Sequence, residues 1–378
     1  MTGIGFTNAR LVLSAEVIDG TLLLDGEAIA RVEAGGSQVP GLLDCEGDYL
    51  LPGLVELHTD NLERHVSPRP GVHWPIRAAL LGHDAEVAAA GITTVLDALA
   101  VGYMEDEGVR SRHLAAMAEA IAATRLTGLT RAEHGLHLRC EIGCRDLMRL
   151  FDSVAAQAPV HLVSIMDHAP GQRQYADVSK FRLYYQGKYR FDDAAMDAFE
   201  AACLERSARW GAANRRAVVA WARREGVALA SHDDATAEHI AEAVADGAVL
   251  AEFPTTVEAA RNARAAGLKV LMGAPNLVRG GSHSGNVATG DLVQAGLLDL
   301  LSSDYVPASL LQGAFQAVAA GVPVPTAVGW VTREAADAVG LADRGRLAPG
   351  LRADLVRVRL DDGLPVVRGV WRAGRRVA

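Results

Sequence analysis

From residue 50 onward, eight near-continuous apolar runs alternate with alanine-rich amphipathic stretches, and this rhythm leaves few folds open. The runs are 50–58, 93–99, 135–141, 160–168, 227–232, 249–254, 269–274 and 298–304. Strands apolar on both faces belong to parallel sheets covered by helices, because each crossover helix lies against a face of the sheet. The intervening "RHLAAMAEAIAATR", "TAEHIAEAVADG" and "PASLLQGAFQAVAAG" have helical periodicity. Eight such units predict an α/β fold, a closed (β/α)8 barrel of the TIM type over residues 50–344. The two ends differ in style. "ARLVLS", "GTLLLDG" and "AIARVEAG" near the start, and "ADLVRVRL" and "LPVVRGVWRAGRRVA" near the end, are short alternating strands separated by turn residues. They predict that residues 1–49 and 345–378 pair into one small accessory β-domain.

The 378 residues are 50% hydrophobic and 22% charged, a globular balance, and the net charge is −9. That charge argues against nucleic-acid and membrane-surface binding, both of which want a basic face. No stretch approaches the length of about 20 apolar residues that spans a bilayer, and the start lacks the basic and apolar regions of a signal peptide. A cytoplasmic protein acting on a small molecule is expected, and a homo-oligomer is compatible with the sequence. The four cysteines, at 45, 140, 144 and 203, fit no zinc pattern and read as reduced thiols.

Chemistry is expected at the carboxyl ends of the barrel strands. Those ends carry His58 and Asp60, Glu141, Asp167 and His168, His232 with Asp233 and Asp234, and Asp304. A lone histidine there is usually a hydrogen-bonded mouth residue. A lone aspartate usually caps the next helix, which is the role expected of Asp234. Five strands closing on imidazole or carboxylate are a different matter, since these donors together suit zinc, manganese or iron. His58 and Asp60 lie two apart on a strand, so both face one side, roughly 7 Å apart. A divalent metal site is expected from His58, Asp60, Glu141, His168 and His232, with Asp304 as a further ligand. Two ions are expected, zinc first, with manganese or iron also suited to the donors.

These features resemble the amidohydrolase superfamily. "LLPGLVELHTD" is similar to its first metal-binding strand, and "GRLAPGLRADLVRV" to the closing strands of its accessory domain. Two departures stand out: Asp60 replaces the second histidine of His-x-His, and no lysine is placed to bridge two metals, since lysine occurs only at 180, 188 and 269. Glu141 would take the bridging role. A closer resemblance, to the PhnM-type family of the carbon–phosphorus lyase pathway, rests on "HTDNLERHVSPRPGVHWP", "HD" at 83–84, "AGITTVLDALAVG", "SIMDHAPGQRQY", "SHDD" and "GAPNLVRGGSHSGN".

That resemblance implies hydrolysis of α-D-ribose 1-methylphosphonate 5-triphosphate to the 5-phosphate and pyrophosphate in phosphonate degradation. It also implies that Asp304, the strand-8 aspartate, handles the proton of the activated water. An anionic substrate needs guanidinium forks, so Arg69, Arg173 and Arg279 are expected at phosphate oxygens. Gly280 and Gly281 would bring backbone N–H groups to the same place, with Ser282, His283 and Ser284 as further donors. Glu63 and His65 are expected to contact substrate or support the ligands. Arg139 lies deeper on the face of Glu141, and the sequence assigns it no role. Lys180, Arg182 and Lys188 are candidates for a lid. The alternative is a deacetylase or cyclic-amide hydrolase on the same fold, and the third reading is an inactive binding subunit.

Overall fold

Gly53 is where one apolar run becomes two strands. A computed structural model describes residues 5–103, 109–282 and 285–378. In it the 50–58 run divides into Tyr49–Pro52, in one sheet, and Leu54–Thr59, in another. A Cβ at Gly53 would stand 2.2 Å from Thr93 Oγ1, so only glycine allows the chain to pass between the sheets at this point.

The second sheet is the barrel. Among the described residues it has eight parallel strands in chain order: Leu54–Thr59, Ile92–Val101, Glu133–Glu141, Val160–Met166, Ala228–His232, Leu250–Glu252, Lys269–Gly273 and Leu300–Ser302. A parallel bridge between Thr59 and Asp304 joins the first strand to the eighth. The buried Glu56 carboxylate reinforces that seam by accepting the backbone N–H groups of His58 and Ser303, each at 2.6 Å. Burial pushes this carboxyl up to about 8 despite those donors. The floor of the barrel is apolar, built from Val55, Leu57, Leu96, Leu162, Leu250, Leu271 and Leu300 and closed by Ala335 and Ala336 of a short helix.

Between the fourth and fifth strands the chain makes an excursion. It forms a helix at Val178–Tyr189 and a long helix at Asp193–Glu225, which starts where Asp192 caps Ala195 N–H and stops at Gly226 with φ 67°. Phe181, Tyr185 and Phe199 pack with Tyr175 into a separate aromatic cluster, and Tyr175 lies 6.1 Å from the His168 ring. This cluster stands at the rim of the mouth. The lid expected from this region loses one member, because Arg182 is held by Asp197 and Glu200.

The other sheet joins the two ends of the chain. Its strands run Arg375–Arg376, Leu364–Arg372, Leu355–Asp361, Tyr49–Pro52, Gly5–Val12, Val17–Asp25 and Ala28–Ala34 from edge to edge, with Leu43–Asp44 also pairing to Gly5–Val12. Phe6 meets Trp371 edge-on at 4.8 Å in its core. No helix among the described residues is long and apolar enough to cross a membrane.

Candidate metal and substrate site

The mouth is built around one carboxylate outside the expected set. Glu252 ends the sixth strand, is fully buried, and accepts Nδ1–H of His58 at 2.6 Å and Nδ1–H of His232 at 2.7 Å. Burial opposes its charge, yet the imidazoles of His58 and His137 hold it well below the usual carboxylate range. His168, two residues past the fourth strand, is held in the same way. Its Nδ1 lies 2.6 Å from Glu141 Oε2. Burial disfavours its positive charge, but Glu141 outweighs that and raises its pKa.

Each of the three rings therefore spends Nδ1 on a carboxylate and keeps Nε2 for another partner. This is how metal-binding histidines are usually oriented, with the second ring nitrogen bonded to an acceptor. His168 Nε2 and His232 Nε2 lie 3.8 and 3.4 Å from Asp233 Oδ2, converging on one point. His58 and His232 stack with centroids 5.9 Å apart, and Phe253 packs edge-on against both. The donors are imidazole nitrogens and carboxylate oxygens, so they fit a divalent ion of the zinc, manganese or iron kind. His168, His232 and Asp233 would hold it, with His58 beside them.

Backbone geometry aims these groups. Asp233, Phe253 and Asp304 all have positive φ, at 56°, 55° and 53°, each just beyond a strand end. This left-handed turn is uncommon outside glycine and collects at sites where the surrounding structure imposes it. Asp304 thereby reaches the first strand, its N–H donating to His58 carbonyl and its carbonyl accepting Asp60 N–H. Burial and the Asp60 carboxylate raise the Asp304 carboxyl, while His58 and Arg139 act the other way. A partly buried carboxylate with a raised pKa beside the His58 and His232 imidazoles is suited to accept a proton.

A family model for the amidohydrolase family matches residues 49–377. The chain belongs to the amidohydrolase family. It is 50% identical over 373 residues to the alpha-D-ribose 1-methylphosphonate 5-triphosphate diphosphatase of Escherichia coli (strain K12), covering 98% of this chain and 99% of that one. Among solved structures it is similar to the 5-methylcytosine deaminase of Klebsiella pneumoniae, with a TM-score of 0.65 and 15% identity over 99% of this chain and 97% of that one. It is also similar to the N-acetyl-D-glucosamine-6-phosphate deacetylase of Mycobacterium smegmatis, with a TM-score of 0.62 and 20% identity over 99% and 100% of the two chains. At such identities the structural matches speak to the fold. Divalent metals are typical of amidohydrolases, which agrees with the imidazole and carboxylate clusters at this mouth.

The amidohydrolase mouth gathers some of the expected residues and not others. His58, Glu141, His168, His232 and Asp304 come together, with Asp60 acting on Asp304. Arg173 does not join them. It is 2% exposed and paired with Asp234 and with Glu242, 2.9 Å away, so its fork clamps its own loop to the helix Ala237–Asp246 rather than facing a phosphate. Asp234 is accordingly no helix cap, since Thr236 caps that helix through His239 N–H. Gly280 and Gly281 are also spoken for: their N–H groups bond Leu277 and Asn276 carbonyls, closing a short helix Ala274–Arg279 where a loop was expected.

Arg69 is exposed in the loop after the helix Asn61–Val66, and Arg279 is exposed at the end of the helix Ala274–Arg279 that follows the seventh strand. Ser282 accepts Asn286 N–H, while His283 and Ser284 lie outside the described residues. Glu63 sits on the short helix Asn61–Val66. His65, on the same helix, turns away to pair with Glu86 at 2.7 Å.

Three residues besides Glu252 belong to the site without having been expected in it. Ser164 lies between His137 Nε2 and Glu252 Oε2, tying the third, fourth and sixth strands together under the histidines. The signal of Ser164 and His137 is a polar residue inside an otherwise apolar strand. The third, Asp233, stands out in the sequence only as a companion of His232.

Proposed function

We propose that this chain hydrolyses α-D-ribose 1-methylphosphonate 5-triphosphate to the 5-phosphate and pyrophosphate. The observation that carries the reading is the half-identity, end to end, with the Escherichia coli enzyme of that name, in a chain whose barrel mouth keeps His58, Asp60, Glu141, His168, His232 and Asp304. A bound divalent ion, with zinc the first expectation and a second ion expected beside it, would supply a water of lowered pKa and polarise a phosphoryl oxygen.

The chain's own residues do the rest. Glu252 and Glu141 fix the imidazoles so that Nε2 faces the mouth. Asp304 orients the water and takes its proton as the new P–O bond forms and the anhydride bridge between α- and β-phosphorus breaks. The bridging oxygen leaves with its electron pair, on pyrophosphate. Arg69 and Arg279, exposed around the mouth, offer planar forks to the leaving end. A cytoplasmic setting goes with a sugar triphosphate substrate.

The test is turnover by metal-reconstituted protein followed by phosphorus NMR. Pyrophosphate and the 5-phosphate should appear in equal amounts, and Asp304→Asn should lower kcat by about 10²- to 10⁴-fold with the fold intact. A metal-loaded protein that leaves the triphosphate untouched would redirect the assignment to amide substrates.

A further inference from the structure

The third barrel strand carries an arginine with no hydrogen-bond or ion-pair partner among the described residues. Residues two apart on a strand share a face. On Glu133–Glu141 the inward face therefore presents His137, Arg139 and Glu141, and the first and last are fixed by hydrogen bonds within the barrel. Arg139 is not. Its Nε is buried without a hydrogen-bond partner, and its guanidinium makes no hydrogen bond or ion pair among the described residues.

Its surroundings are those of the reacting centre. The charge of Arg139 acts on His137 below, on His168 beside it and on Asp304 across the mouth. The Glu141 carboxylate is turned to the His168 ring and backbone N–H, and the Asp304 carboxylate feels the charge of Arg139 without an ion pair between them among the described residues. Buried guanidinium groups are ordinarily paired, and this chain pairs Arg173, Arg344 and Arg357 in that way. Arg139 is only partly buried and makes no such pair among the described residues, so its fork is open to an acceptor from outside.

We infer that Arg139 grips the non-bridging oxygens of the phosphoryl group that is attacked. This assigns a substrate contact within the site, and it rests on the phosphate reading proposed above. The planar fork can meet two such oxygens at once and remain with them as the anhydride bond breaks. Arg69 and Arg279, exposed at the rim, are left to the outer phosphates.

The experiment compares wild type, Arg139→Met and Arg139→Lys as metal-loaded full chains, with metal content and thermal unfolding recorded for each. Arg139→Met should keep the metal and the fold and lose about 10²- to 10³-fold in kcat. Added guanidinium should restore part of the rate, and Arg139→Lys should fall between the two. Calorimetric binding of inorganic tripolyphosphate should weaken at least about tenfold in Arg139→Met. A methionine variant that binds tripolyphosphate like wild type but loses metal would overturn the inference, making Arg139 a support for the ligands. Should wild type leave the ribose triphosphate uncleaved, the functional reading falls, while the tripolyphosphate titration still decides Arg139.

Discussion

Glu252 governs two imidazoles at once, and replacing it isolates what that arrangement contributes. Glu252→Gln preserves volume but removes the charge that holds Nδ1–H of both His58 and His232. Losing such an acceptor typically costs about 10- to 100-fold in metal affinity. A loss of that size is expected in competition titrations with a chelator, with turnover falling in parallel at limiting metal. Unchanged affinity would mean that the two rings are oriented by packing against Phe253 alone. Glu252 also shows where local pattern runs short. A carboxylate closing "VLAE" carries the same signal as Glu141 closing "GLHLRCE". What distinguishes it is partners 20 and 194 residues away along the chain. Arg173 is the converse: a guanidinium in a loop after a barrel strand looks available for phosphate until Asp234 and Glu242 are seen to enclose it.

The helix Ile76–Ala89 is fastened to the outside of the barrel by a buried polar cluster. His83 Nε2 lies 2.8 Å from Asp97 Oδ1 and His134 Nδ1 lies 2.8 Å from Asp97 Oδ2, and Asp84 accepts Arg131 and Ala132 N–H groups as well as facing His134 Nε2. The second nitrogen of His83 is taken by Asn61. With every ring nitrogen engaged, this cluster is an ion-pair fastening rather than an open metal site. Burial works against charge on His134, but Asp97 and Asp84 outweigh it and raise the imidazole to about 9 from an ordinary value of 6.5. Asp97 goes down to about 2 from 3.8, although burial alone would raise it.

The sign follows from linkage. The His134 contribution is complete below about pH 6.5 and disappears as pH rises through about 9. That of Asp97 is complete above about pH 3.8 and disappears as pH falls through about 2. Thermal unfolding should therefore show a decline in stability from pH 6.5 to 9 that His134→Gln flattens. An identical slope in wild type and variant would place the alkaline loss elsewhere. Asp97→Ala, which leaves the imidazoles without their acceptor, should cost about 3–5 kcal/mol in denaturant unfolding.

The barrel and the sheet of the chain termini meet at Gly53. Gly53 passes between Thr93 and Asp354, and a Cβ there would stand 2.2 and 2.9 Å from their side chains. Around it, Arg344 and Arg352 both reach Glu133 at the foot of the third strand, and Arg352 also pairs with Asp354. Gly53→Ala should destabilise the whole chain by about 1–3 kcal/mol, since the methyl forces one strand away from its neighbour. Chemical denaturation checks this, and the loss is expected in a single cooperative transition. A separate early transition in the variant would show that the sheet of the termini unfolds independently of the barrel.

Much of this architecture was legible in the amino-acid order itself. The alternation of two-sided apolar strands with amphipathic helices specifies a covered parallel sheet, because no other arrangement buries both faces of so many strands. The candidate ligands at strand ends, His58, Glu141, His168, His232 and Asp304, were legible for the same local reason: imidazoles and carboxylates interrupt runs that packing alone would keep apolar. Tertiary structure decided what local pattern does not contain. It divided residues 50–58 between two sheets at Gly53, consumed Arg173 and the Gly280–Gly281 amides inside the fold, and left Arg139 without an ion-pair partner among the described residues. Whether a polar side chain is available to a substrate depends on which groups elsewhere in the chain arrive beside it. Those neighbours are set by the closure of the barrel, not by the residues on either side.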